Sequence, residues 1–441
     1  MIGNFNVTKH SMTYFCSADI RGAHIFQPQF PCRFRSIEYE HAGGMSIAFL
    51  QNGHASAHCT TPPLCVLKWG GLGSILTTRP FLQALREHFG MGRTIIYITS
   101  ASNADLVERM NLVDRIVLLE PNGFPILQTL LLGRALRREK PAMFFDLQIH
   151  THRRLGRTLA RLSGAPRRFS FFRARETAPC DGHEVFANPF APVDQLYLEM
   201  ARLAGARHPP SEPHHALLIS RADEDKAHAL LHGWLGAYDR LLIVNPNASA
   251  TAYVRRWPLT SYAETISVLL GQTPRLRVAL IGSSSERDYV GKLYQMVATS
   301  GNAVRNFAGM TTLGSLMALI TRADCVLSND SGPLHLALAL GARVVGLFGP
   351  VHPDHNAHLG SPERKIILYR PVLCSPCVHH VAVPPCGGDN RCMQLITTGD
   401  VVAACGKHLS DTSTITEYAF PQWHFRFHQS GTTPRVEELC I

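Results

Sequence analysis

From Leu64 onward, short apolar runs alternate with segments of helical spacing, and that alternation constrains the fold more than any other feature of the chain. Leu64-Cys-Val-Leu-Lys-Trp69 reads as a buried strand, Gly70-Gly-Leu-Gly-Ser74 as a glycine turn, and Ile75 to Phe89 as a helix. Strands at 93–98, 115–119, 142–147 and 168–172 follow. The helices between them run through Val107 and Met110, over Ile126 to Arg138, and over Arg153 to Leu162. Strands joined by helices rather than hairpins must pair in parallel, and the helices then cover both faces of the sheet.

A proline- and histidine-rich stretch, His208-Pro-Pro-Ser-Glu-Pro-His-His215, interrupts the pattern and reads as a boundary. A short apolar run, Ala216-Leu-Leu-Ile-Ser220, and a polar helix from Ala222 to Leu231 are expected after it. A second series follows, with strands at 241–244, 277–281, 304–307, 325–327 and 344–348 and helices at 262–270, 286–298, 313–321 and 334–340. The expected fold class is α/β, with two doubly wound, Rossmann-like domains facing across a cleft where the carboxyl ends of their strands meet. The expected division is an amino-terminal extension (1–61), a first domain (62–212), a second domain (213–405) and a tail (406–441). In the extension, Tyr14-Phe-Cys, Ile25-Phe-Gln and Ser46-Ile-Ala-Phe-Leu are candidate short strands without a regular repeat. A helix over Thr397 to Cys405 is expected near the hinge.

The 441 residues suffice for two cores, and 45% apolar against 17% charged residues describes a globular chain. A net charge of +10 favours anionic partners such as nucleotides, phosphorylated glycans or acidic membrane surfaces. Basic runs such as Arg134-Ala-Leu-Arg-Arg138 come with no nucleic-acid-binding signature, so no nucleic-acid partner is expected. No apolar stretch reaches membrane-spanning length and the amino terminus lacks a signal-peptide pattern. The expected location is therefore the cytoplasm, with peripheral contact at the membrane face left open.

Four strand-to-helix turns should point into the cleft. The first is Gly70–Ser74, with Gly71 and Gly73. The second joins Asp146 and Gln148 to His150 and His152. The third is Asn245-Pro-Asn-Ala-Ser249, with Asn247, followed by Tyr253-Val-Arg-Arg-Trp-Pro258. The fourth is Ser328-Asn-Asp-Ser-Gly-Pro-Leu-His335. In this last stretch Asp330 or Ser331 can cap a helix, Pro333 sits where no backbone donor is lost, and Gly341 ends the helix. A helix start offers unpaired N–H groups and partial positive charge, so Ser331, Gly332 and His335 with Arg255 and Arg256 nearby suit a diphosphate. Gly71-Leu-Gly73 lacks the third glycine of a dinucleotide fingerprint, which argues against an oxidoreductase.

These stretches, in this order from about Leu64 to Cys405, resemble glycosyltransferase family 9, the ADP-heptose lipopolysaccharide heptosyltransferases and their relatives. The resemblance rests on Lys68-Trp-Gly-Gly-Leu-Gly-Ser74 with Thr78 and Pro80, Asp146-Leu-Gln148, Leu162-Ser-Gly-Ala-Pro-Arg-Arg168 and Arg255-Arg-Trp-Pro258. It rests also on Ile281-Gly-Ser-Ser-Ser-Glu286, Phe307-Ala-Gly-Met-Thr-Thr-Leu313, Ser328–His335 and Leu347-Phe-Gly-Pro350. It implies a GT-B fold and inverting transfer of a sugar, a heptose from ADP-heptose, to a lipopolysaccharide core or similar anionic glycan or glycolipid, with no catalytic cofactor. By position, the resemblance implies that Arg255 lies near the diphosphate, Glu286 near the nucleoside, Asp330 near the donor sugar, and Ser331, Gly332 and His335 at the phosphate turn. Asn247, Arg256 and Gly282 are further candidate donor-binding residues.

One position departs from the family. Its proton acceptor is usually an aspartate directly after the turn glycine, and here that residue is Ser74, a poor base at neutral pH. Asp146 is the expected substitute, or else a support for the first turn; His150 and His152 are weaker alternatives. A chain that binds a nucleotide sugar without transferring it stays open as a second reading. An epimerase of the same fold would need paired carboxylates, and none can be placed. Of twelve cysteines, Cys374, Cys377, Cys386 and Cys392 are grouped and could hold a structural zinc or iron, with His379 and His380 as substitute ligands.

Overall fold

The computed structural model describes residues 9–12, 34–42, 45–52, 61–119, 126–173, 182–189, 191–206, 217–248, 250–357, 359–378, 381 and 383–410. The 208–215 boundary stretch, the strands expected at Tyr14 and Ile25, His379, His380 and the tail beyond 410 lie outside them. Among the described residues the strands form two sheets, one of nine and one of six.

The first sheet contains β1 (Lys9–Met12), β2 (Phe34–Ala42), β3 (Met45–Asn52), β4 (Leu64–Leu67), β5 (Ile95–Thr99), β6 (Arg115–Leu118), β7 (Met143–Asp146), β8 (Arg167–Phe172) and β9 (His183–Phe186). The second contains β10 (Arg240–Asn245), β11 (Leu276–Leu280), β12 (Val304–Asn306), β13 (Cys325–Asn329), β14 (Val344–Phe348) and β15 (Lys365–Tyr369). Strands β4–β9 and β10–β15 are each ordered third-second-first-fourth-fifth-sixth, all parallel. In such a sheet the chain reverses direction beside its first strand, which opens a crevice at the carboxyl ends of the first and fourth strands. Those strands are β4 and β7 in one sheet and β10 and β13 in the other. The four turns singled out above leave these four strands.

The helices are α1 (Leu72–Leu76), α2 (Arg79–Phe89), α3 (Ala101–Arg109), α4 (Ile126–Arg138), α5 (Arg153–Leu162), α6 (Val193–Ala204) and α7 (Arg221–Leu231). They continue with α8 (Leu259–Gln272), α9 (Arg287–Met296), α10 (Leu313–Ile320), α11 (Gly332–Ala339), α12 (Pro353–Asn356), α13 (Arg391–Gln394) and α14 (Thr398–Ser410). Strands β4, β5 and β7 are buried along their whole length, as a sheet covered on both faces requires.

Several expectations need correction. The helix expected over 75–89 is two helices, because Thr77 and Thr78 turn their hydroxyls back onto Ser74 O and Ile75 O and break the run. After the boundary stretch, Ser220 caps α7 through a reciprocal box with Asp223. α14 packs on α8 and on β13, β14 and β15, within the second unit rather than at the hinge. Strands β1–β3 are antiparallel to one another, and β3 pairs with β6, so they extend the first sheet.

The two units are fastened by a buried ion pair. Arg109, at the end of α3, donates to Asp223 Oδ2 of α7 at 2.8 Å and to Leu218 O at 3.0 Å, and α7 packs on α10 of the second unit. The two side chains are 6% and 7% exposed. Gly314 of α10 completes the joint, since any side chain there would collide with the Asp223 carboxylate.

Candidate functional site

On the second sheet, asparagines lock the turn after β10 to the turn after β13. Asn245 Nδ2 donates to Ser328 Oγ at 3.0 Å and to Ser331 Oγ at 2.8 Å, while Asn247 Nδ2 donates to Asn245 Oδ1 and Ile281 O, both at 3.1 Å. Asn329 Nδ2 donates to Pro246 O at 2.9 Å, and Asn329 Oδ1 accepts from Trp257 N at 3.1 Å and Tyr262 OH at 2.9 Å. Buried amides of this kind cost free energy unless satisfied, and here each one fixes a loop.

The start of α11 is consequently open. Ser331 occupies the cap position but makes no capping bond, because its hydroxyl is taken by Asn245. Asp330 does not cap either. Its carboxylate, on a residue only 2% exposed, meets His335 Nε2 at 3.0 Å through Oδ1 and Arg255 Nη1 at 3.2 Å through Oδ2. The expected cap is therefore corrected: Ser331 is held by the turn after β10, Asp330 by Arg255 and the His335 ring, and no side chain caps the first turn of the helix. An anion supplied from outside can take that place.

The two arginines separate. Arg255 reaches Asp330, whereas Arg256 lies over the Tyr289 ring at 4.2 Å and donates to Ala248 O at 2.9 Å. Gly282 has no room for a side chain, with Asn247 Nδ2 2.8 Å from where its Cβ would sit. Glu286 Oε2 accepts from Ser283 N and Ser283 Oγ, both at 2.8 Å, and closes the turn after β11.

On the first sheet, Ser74 is exposed in the single turn of α1, and Gly70 adopts φ +146° while its carbonyl accepts from Asn103 Nδ2 at 3.0 Å. Asp146 behaves differently from the expectation that it faces the cleft. It is 1% exposed, Oδ1 accepts from Gln148 N at 3.1 Å, and Oδ2 lies 2.1 Å from where a Gly156 Cβ would sit. Its carboxylate is thus held beneath α5. Burial pushes the Asp146 carboxyl up to about 7, against the lowering effects of the Gln148 bond and nearby Lys68. Burial also lowers the Lys68 ammonium to about 8, with Asp146 opposing, and Lys68 Nζ donates to Leu147 O at 2.9 Å. Gln148 is buried and points at Trp69 O. His150 sits beside Arg173 and 6.3 Å from the His355 ring, and His152 meets the edge of Trp69.

Across the cleft, α1 lies on α11. Gly73 faces the His335 imidazole and Leu72 faces Gly332, so the first and fourth turns meet directly.

Cys374, Cys377, Cys386 and Cys392 line one cavity of about 430 Å³ with Val254, Pro350 and Leu395. Burial, then neighbouring thiolates, pushes Cys392 up to about 11 and Cys377 upward, while the Asn390 N–H holds Cys386 down. Among the described residues no group of three or more His, Cys, Asp or Glu side chains is arranged to hold a metal ion. The four thiols share a cavity without closing into a ligand set. Asn390, Tyr289 and Asn329 carry contacts that the sequence did not single out; only Asn329 had a visible signal, as part of the Ser328–His335 stretch.

Residues 188–385 match the model of glycosyltransferase family 9 (heptosyltransferase). The matched segment carries the third and fourth turns. Among curated relatives, lipopolysaccharide heptosyltransferase 2 of Escherichia coli (strain K12) is 34% identical over 115 residues, 26% of this chain and 32% of the relative. The lipopolysaccharide core heptosyltransferase of Haemophilus influenzae is 27% identical over 195 residues, 43% of this chain and 53% of the relative. The chain thus spans about a third to a half of the length of these relatives. In fold the likeness is longer. The structure of E. coli ADP-heptose heptosyltransferase II superposes with a TM-score of 0.61 at 20% identity, over 79% of this chain and 98% of that one. A family 9 glycosyltransferase from Veillonella parvula gives 0.65 at 19%, over 79% and 97%. The two-sheet architecture is the GT-B fold.

Proposed function

We propose that the chain is an inverting glycosyltransferase that moves a heptose from ADP-heptose to a lipopolysaccharide core or related anionic surface glycan. The observation that carries the reading is the uncapped start of α11, flanked by Arg255, at the crevice of the segment that matches the family 9 model. In the reaction an acceptor hydroxyl forms a bond to the anomeric carbon as the bond to the diphosphate oxygen breaks. The departing diphosphate gains charge, which Arg255 and the α11 amides neutralise. Asn245 holds Ser331 aside so that those amides face the ligand, and Asp330 holds Arg255 and His335 in place. The nucleoside lies toward Gly282 and Glu286, and Arg256 on Tyr289 borders the same side.

The acceptor belongs on the first sheet, at Gly71, Gly73, Ser74 and Gln148. Its hydroxyl proton must leave as the bond forms and passes to solvent water beside the exposed Ser74, which is itself a poor base. Asp146, buried under α5, holds the turn after β7 by accepting from the Gln148 N–H. The net charge of +10 suits an acidic glycolipid and a peripheral position at the cytoplasmic membrane face. Among the described residues no helix is long and apolar enough to cross a membrane. The cysteine cavity would hold zinc or iron through its thiols only if the loop contracted around the ion, in a structural role; elemental analysis of purified protein tests this.

ADP and ADP-heptose should each raise the melting temperature by mass action, and Ser331→Asp should abolish the shift by charge repulsion. No shift with any nucleotide or nucleotide sugar would sink the reading. The rival reading, nucleotide-sugar binding without transfer, is motivated by Ser74; donor-dependent stabilisation without turnover on any glycan acceptor would favour it.

A further inference from the structure

The cysteine-rich loop and the arginine segment are far apart in sequence yet joined at one point. Asn390 Nδ2 donates to Arg256 O at 2.7 Å. Asn390 sits in the left-handed region at φ +61° and caps α13, with its own carbonyl accepting from Met393 N and Gln394 N. Its backbone N–H reaches Cys386 Sγ at 3.5 Å. Nearby, Gly388 leaves room for the Tyr253 ring, and Trp257 Nε1 donates to Ile396 O at 2.9 Å. The stretch from Tyr253 to Trp257 is therefore gripped on one side by the turn after β13, through Asn329 Oδ1, and on the other by residues 388–396. Arg255 projects from the middle of that stretch to Asp330.

We propose that Asn390 is a positioning residue of the donor site, acting through the Arg256 carbonyl to set where the Arg255 guanidinium meets the diphosphate. The inference rests on the donor-site reading given above. A guanidinium aimed from a short irregular segment is only as well placed as its backbone, and one of the bonds fixing that backbone comes from the Asn390 amide. The left-handed backbone fits this role: asparagine tolerates φ above zero and also offers a donor, which glycine lacks.

The test uses the full chain with ADP as probe. Asn390→Gly keeps the left-handed backbone and removes only the amide. It should weaken ADP binding by about two- to tenfold, the range for one hydrogen bond, while the melting temperature without ligand changes little. In an Arg255→Gln background the same substitution should have a much smaller effect on ADP affinity, because the route through the Arg255 guanidinium is gone. ADP affinity equal to wild type in Asn390→Gly, or full additivity of the two substitutions, would overturn the brace and leave the donor site standing. A lower melting temperature with unchanged ADP affinity would show a merely structural loop contact and would also overturn it. Wild-type protein that fails to bind ADP would sink the donor-site reading, and the brace with it.

Discussion

Gly73 and His335 meet across the cleft, with the imidazole Cδ2 2.5 Å from where a Gly73 side chain would begin. His335 cannot step back, since Nε2 is bonded to Asp330 and the residue is buried. Gly73→Ala should therefore cost about 1–3 kcal/mol of stability by overpacking and weaken ADP binding by displacing His335. Gly71→Ala is the control. Nothing lies within 4 Å of that position and its φ is −76°, so the loss should stay below about 1 kcal/mol. Equal melting temperatures for the two variants would contradict the contact.

Asp146 makes stability depend on pH. Its carboxyl is pushed up to about 7 in the folded chain from an ordinary 3.8, so between those values the folded state holds a proton that the unfolded state has released. Stability should fall as pH rises from about 4 to 7. Lys68, lowered to about 8 from 10.5, acts in the opposite sense: the unfolded state holds its proton longer, so stability recovers from about 8 to 10.5. Asp146→Asn should flatten the falling limb in urea titrations at successive pH values. A limb of unchanged slope would show that Asp146 does not cause it.

Ser74 is the exposed residue at the position where the resemblance to family 9 implies a proton acceptor. Ser74→Asp should raise turnover by about 10²-fold, the lower end for a positioned general base, and give the rate an acidic limb. Ser74→Ala should leave turnover nearly unchanged. A large loss in the alanine variant would instead assign the hydroxyl a direct part in the step.

Arg109 and Asp223 form an ion pair that is nearly closed to water. Arg109→Met leaves the Asp223 carboxylate buried with only Ser220 beside it, and should cost about 3–5 kcal/mol. Chemical denaturation measures this. A loss under 1 kcal/mol would mean that solvent already reaches the pair.

Much of the fold was legible because a parallel sheet buried on both faces leaves an apolar run wherever a strand falls, as at Leu64–Leu67 and Cys325–Asn329. Some elements were less visible. β9, β15 and α6 went unread, and β9 and β15 alternate or expose their side chains rather than forming a fully buried run. At the site, the residue types of the four turns could be read, but the directions of their side chains could not. Ser331 looked like a cap until Asn245, 86 positions away, was seen to claim its hydroxyl. Asp146 looked like a cleft residue until Gly156 showed that α5 lies against it. Asn390 gave no local sign at all, because its partner is 134 positions distant.

The joints between the two units are unequal. At Arg109 and Asp223 they are welded by opposite charges removed from water, whereas at Gly73 and His335 they merely touch, held by dispersion of about 0.1–0.2 kcal/mol per atom pair. The glycine turn and the uncapped helix therefore meet at the joint that contributes less to holding the two units together.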